Sequence, residues 1–158
     1  MKKVIISFSV LLVFVYSLRD YYLPANISSV HQGEDYITAG DITFKSTVVI
    51  VDHLPHTKKR MREFWDNNKR YLLNKYKPFE SEMDRMVFIR NVPEEPYNIN
   101  ELRYWKGDHQ YCFNGNLGGK CISKDEVKFI VIGNYMGGES EIIDAENSHP
   151  LYMWFLNR

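Results

Sequence analysis

The residues best suited to chemistry fall in two short stretches. In "VDHLPHTKK", Asp52, His53 and His56 place a carboxylate and two imidazoles close together, donors that suit a divalent metal or a general base. In "YCFNGNLGGKCIS", Cys112 and Cys121, the only cysteines of the chain, flank a segment rich in Asn and Gly. The first stretch argues against itself. Pro55 lies between the histidines and disrupts the helix that would align them, and no E-x-x-H pattern accompanies them. Surface histidines at a strand-to-helix junction are the plainer reading, so Asp52, His53 and His56 are weak metal candidates. No metal or other cofactor is expected.

Other catalytic patterns fall short. "GGESE" (137–141) lacks the spacing of a G-x-S-x-G elbow, and the carboxylate pairs Glu94–Glu95 and Glu139–Glu141 are of a kind common on soluble faces. His31, His109 and His149 are isolated in sequence, and Asn26-Ile27-Ser28 is a glycosylation acceptor only in a eukaryotic secretory pathway. The expectation is a protein without enzyme activity, with no catalytic residues to name.

The cysteines depend on the compartment, and the N-terminus bears on that. "MKKVIISFSVLLVFVYSLRDYYLPA" opens with two lysines, after which Val4 to Leu18 carries no charge. As a helix that run covers about 22 Å, short of the roughly 30 Å hydrocarbon core. Extended to Leu23 it reaches about 30 Å, with Arg19 able to snorkel and Tyr21 and Tyr22 suited to the interface. A cleaved signal peptide is the alternative, but Val15-Tyr16-Ser17 and Leu23-Pro24-Ala25 are poor cleavage sites. The preferred reading is an uncleaved anchor over residues 1–23, contacting the membrane through residues 4–23. Lys2 and Lys3 keep its start in the cytoplasm, so residues 24–158 stand outside, in a bacterium the periplasm.

An oxidising destination favours a disulfide between Cys112 and Cys121, with Asn114-Gly115 and Gly118-Gly119 supplying the turn between two strands. A redox pair would show C-x-x-C, and zinc would need more ligands than His109 nearby. A phosphate loop would need G-x-x-x-x-G-K-[ST], whereas Lys120 is followed by cysteine.

The elements around these residues read as short strands with one helix. "ISSVHQ" (27–32) suggests a strand and "DYITAG" (35–40) a turn-rich return. "ITFKSTVVIVDHL" (42–54) is dense in β-branched residues and is the clearest strand. Met61, Phe64, Trp65, Leu72 and Tyr76 recur at helical spacing, interrupted by Asn68, with Thr57 as cap and Pro78 as stop. Lys58, Lys59, Arg62, Lys69 and Arg70 make up a basic face whose plain reading is solvation and whose alternative is lipid contact. Strands follow at 84–92, 128–133, 141–144 and 151–156, with a loop at 93–108 holding at most a helical turn. The fold class is α+β: an N-terminal transmembrane helix, then a mostly antiparallel sheet packed against one main helix.

Composition narrows the partners. The chain has 158 residues, room for a single domain beyond the anchor, and 44% hydrophobic content supports a packed core. Without residues 1–23 there remain 17 basic and 19 acidic side chains, net −2, which excludes a large sequence-independent attraction for nucleic acid.

Taken in order, these features resemble a family of short enterobacterial membrane proteins grouped as a domain of unknown function. The resemblance rests on the lysine-led apolar start, "ISSVHQ", the "VVIVDHLPHTKKRMREFWDNNKRYLLNKY" block and the "YCF … KCISKDEVKFIVIGN" block. It implies a Gram-negative inner-membrane setting and supports the paired cysteines, and it transfers no catalytic residues. The stretch Glu80 to Asp108 carries it least. The reading of function is a membrane-anchored periplasmic binding module, in its specific form an immunity-type protein that neutralises an envelope-acting toxin. Tyr104, Trp105 and Trp154 are the candidate anchors for a protein partner. The alternatives are an envelope accessory or sensor subunit acting through its anchor, or a small periplasmic hydrolase using the Asp52–His56 region.

Overall fold

The computed structural model describes residues 23–37, 42–93, 95–96, 110–112, 120–133, 140–146 and 149–156. The anchor, Tyr104 and Trp105, the turn between the cysteines and the Gly137-Gly138 turn lie outside the described residues. Among those described, no helix is long and apolar enough to cross a membrane.

Strands β1 (Asn26–Ile37) and β2 (Ile42–Asp52) form a long antiparallel hairpin. Helix α1 (Lys58–Tyr76) then carries the chain over to β3 (Arg85–Arg90), which pairs with β2 in parallel. Two-residue β4 (Glu95–Pro96), β5 (Gln110–Cys112) and β6 (Lys120–Ser123) form a separate small sheet in the order β4-β6-β5. Strands β7 (Val127–Ile132), β8 (Ser140–Glu146) and β9 (His149–Phe155) complete the main sheet, ordered β1-β2-β3-β7-β9-β8. Every pairing in it except β2–β3 is antiparallel.

The expected strand and turn at 27–40 merge in part. "DYI" continues β1 because Asp35, Tyr36 and Ile37 pair with Phe44, Thr43 and Ile42. Within the expected loop at 93–108, Glu95 and Pro96 pair with Cys121 and Lys120 as a short strand.

Helix α1 forms where the apolar spacing placed it. Thr57 Oγ1 accepts from Arg60 N at 3.4 Å, and Lys77, in the left-handed region, closes the end with its N–H on Leu73 O at 3.0 Å. Asn68, the break in the stripe, donates to Phe64 O at 2.8 Å, so its amide is satisfied within its own helix. The basic residues do not make one solvated face. Arg62 is ion-paired with Glu141 on β8, and Lys58 lies 5.3 Å from the centre of the Phe155 ring on β9.

Alternation along β2 shows why all of Val48 to Val51 is buried. Val49 and Val51 pack with Met61, Phe64, Trp65 and Leu72 of α1, while Val48 and Ile50 pack with Tyr111 and Ile122 of the small sheet. The main sheet is therefore covered by the helix on one face and by the small sheet on part of the other.

His31 on β1 is hydrogen-bonded to Ser29 Oγ at 3.0 Å, and burial holds its imidazole below its ordinary value. The folded state thus disfavours the charged form. Its contribution is intact above the unfolded value near 6.5 and is lost as pH falls from there through the lower folded value. Acidification from about pH 7 to about pH 5 is expected to lower Tm, and less so in His31→Gln, as read by thermal unfolding. An equal drop in both proteins would remove His31 as the cause.

Candidate functional site

On β9 the side chains alternate. Leu151, Met153 and Phe155 are buried with α1, whereas Tyr152 and Trp154 take the opposite face and are half-buried. Trp154 stands between Ile130 of β7 and Ser140 of β8, and Tyr152 stands opposite Ile142. A register shift between Ile142 and Asp144 lets Ile143 pack with the helix-side core while Ile142 remains 71% exposed. The result is a row of Ile130, Trp154, Tyr152 and Ile142 on the face opposite α1, running from Ile130 beside the small-sheet core to the exposed Ile142 on the edge strand β8. Large aromatics beside an exposed aliphatic are the residue types that anchor protein interfaces. Trp154 is one of the anchor candidates that the sequence offers, and the structure places it in this row. Ile142 is not one of them, because nothing local distinguishes it from Ile143.

The Asp52–His53–His56 stretch spans the end of β2 and the turn before α1. His53 has φ 53°, a left-handed conformation that histidine tolerates better than most residues. Asp52 accepts from Asn91 Nδ2 at 2.6 Å, whereas His53 and His56 line a cleft of about 470 Å³. Leu23, Pro24 and Ala25 also line that cleft, as do Arg60, Glu63, Asn67 and Asn68 of α1. Among the described residues no three His, Cys, Asp or Glu side chains are gathered as a metal site would require.

A buried polar group lies under the small sheet. Asp35 Oδ2 is 3.0 Å from Arg85 Nη2, and the Arg85 guanidinium stacks 4.3 Å from the centre of the Phe44 ring. Burial pushes the Tyr111 hydroxyl well above the ordinary phenol range, with Arg85 pulling the other way and Asp35 adding to the rise. Sequence reasoning missed this group because Asp35 fell in a presumed turn. The signal available was the period-two placement of Asp35 along β1.

Tyr111 and Ile122 are directly opposed in β5 and β6, as are Cys112 and Cys121, whose disulfide joins Cα atoms 4.2 Å apart. Both cysteines are buried. A closed loop of this length stabilises by roughly 2.5–3 kcal/mol in the chain-entropy account. Reduction, or the double change Cys112→Ser and Cys121→Ser, is expected to lower stability by about that amount in urea unfolding. A loss under about 1 kcal/mol would mean that packing of Tyr111 and Ile122 alone holds the hairpin.

Over residues 1–149 the sequence matches the family described as "Enterobacterial putative membrane protein (DUF943)". The chain belongs to that family. No curated protein matches the chain, and no solved structure does. The DUF943 match takes in the lysine-led apolar start, both cysteines and β8, and it ends at the first residue of β9. Tyr152 and Trp154 of this DUF943 protein lie just beyond the matched residues.

Proposed function

We propose that this DUF943 protein is a single-pass inner-membrane protein whose folded domain stands in the periplasm and binds a protein partner without catalysing a reaction. Its specific form is immunity-type neutralisation of a toxin that acts in the envelope. The observation that supports the binding role is the strip of Trp154, Tyr152 and Ile142, with Ile142 71% exposed on the edge strand of the sheet. The buried disulfide supports an oxidising compartment. The lysine-led apolar run supports the tether and its orientation.

Two experiments test the reading. In cells quenched with acid and alkylated under denaturing conditions, Cys112 and Cys121 should resist alkylation until reductant is added; full alkylation without it would overturn the periplasmic placement. The full chain, solubilised in mild detergent, is then used to capture partners from envelope extracts of the host and of competing strains. A stoichiometric partner with toxin character, lost with Ile142→Asp or Trp154→Ala, is the expected result. A resident membrane complex retained by both variants would replace this reading with the accessory-subunit one.

A further inference from the structure

We propose that the basic surface at the start of α1 docks on the headgroups of anionic phospholipids and holds the folded domain down on the membrane. The proposal rests on the reading of residues 4–23 as an anchor. The chain leaves that apolar segment at Leu23, and Leu23 to Ala25 line the same cleft as His56 and Arg60. The start of α1 is therefore a direct neighbour of the point where the chain enters the domain. The headgroup layer is roughly 5–8 Å deep on each side of a bilayer, so a helix beginning against the anchor root lies within its reach.

The charges there are unlike the rest of the domain. The first turn of α1 runs Lys58, Lys59, Arg60 and contains no acid, whereas the stretch after residue 23 is net negative, with 17 basic and 19 acidic side chains. Helix energetics favours acids at this end, so local folding does not account for the pattern. Lys58 leans over Phe155 and Arg62 is held by Glu141, and Lys59 and Arg60 are both exposed. The Lys59 side chain is 87% exposed, and its acidic neighbour Glu63 is 4.0 Å away, at the limit of an ion pair. Arg60 is exposed beside His56, and a guanidinium meets phosphate oxygens through paired N–H donors. A surface phosphate layer complements this charge; each engaged Lys or Arg adds attraction to anionic lipid that falls off within a Debye length.

The test uses the full chain in nanodiscs of pure phosphatidylcholine and of phosphatidylcholine with added phosphatidylglycerol, read by amide hydrogen exchange over residues 53–63. Docking predicts slower exchange with phosphatidylglycerol, by about fivefold per engaged charge. High salt should abolish the difference, as should Lys59→Glu with Arg60→Glu. Equal exchange in the two lipids would overturn docking, as would slowing that survives in the double variant. Co-flotation with pure phosphatidylcholine vesicles is measured in parallel. A chain that floats without lipid-dependent exchange keeps its anchor and loses the docking surface; a chain that does not float sinks the anchor reading and docking with it. Thermal unfolding of the double variant at the wild-type midpoint shows that the fold is intact, since both side chains are exposed.

Discussion

Phe88→Ala is expected to lower the unfolding free energy by about 4 kcal/mol, the largest loss for any single change considered for this protein. Phe88 is fully buried at the centre of the main sheet. Its ring meets Phe64 edge-on at 6.2 Å and Trp65 edge-on at 6.0 Å, both from α1, and stacks on Phe129 of β7 at 4.2 Å. Truncation removes a large transfer term and leaves a cavity that three rings cannot fill without moving off their rotamers. Each aromatic pair adds roughly 0.5–1.5 kcal/mol beyond the buried area. Domains are typically stable by about 5–15 kcal/mol, so the variant should retain little margin at ordinary temperature. Urea unfolding of the full chain in mild detergent, followed by tryptophan fluorescence, reads the change. Phe88→Leu serves as the milder companion and should cost well under half as much. If Phe88→Ala cost less than about 2 kcal/mol, α1 would not be seated on β3 and β7 as described.

Asp84→Ala should cost roughly 3 kcal/mol by a different route. Asp84 is buried at the entry to β3, and its two carboxylate oxygens serve four donors. Oδ1 accepts from Lys45 N at 2.7 Å and from Ser81 Oγ at 3.1 Å; Oδ2 accepts from Glu80 N and Ser81 N, each at 2.7 Å. The side chain thereby ties β2 to the turn that returns the chain from α1, and it neutralises backbone donors that have no strand partner. Hydrogen bonds to an ionised acceptor contribute about 1.5–3 kcal/mol each when buried. Water reaches the exposed Glu80 and Ser81 once the side chain is gone, which keeps the sum well below four full bonds. Asp84→Asn retains one acceptor and turns a donor toward donors, so it should fall between wild type and Asp84→Ala. Hydrogen exchange checks the mechanism: amides of Lys45, Glu80 and Ser81 should speed up together. Loss of stability without that acceleration would place the effect elsewhere.

Local physics made part of this fold legible in advance. The stripe Met61–Phe64–Trp65–Leu72 needs only helical period, and Thr57 and Pro78 act on the backbone within a turn, so α1 fell within a residue or two of its expected ends. β2, β3, β7, β8 and β9 were legible for the same reason, because β-branched and aromatic runs report a pleated, half-buried surface whatever they pair with. The cysteine staple was legible because even cysteine number and turn-forming Asn and Gly sit between the two sulfurs in sequence. Trp154 was singled out by residue type alone, and Ile142 was invisible because a one-residue register shift decides which of two adjacent isoleucines faces out.

By itself the sequence determined the α+β class of the folded part, the helix with its Thr57 cap, the disulfide pairing and the family, since each depends on neighbours along the chain or on residue order. Only the tertiary structure decided that β2 and β3 run parallel across α1, that the stapled strands form a second sheet over Val48, Ile50, Val87 and Ile89, and that Asp35 is buried against Arg85. It also set Asp52 against Asn91 of the chain after β3 and placed His53 and His56 in the lining of one cleft. Those outcomes rest on contacts between residues far apart in sequence, whose energies are comparable for many pairings until the whole core is assembled.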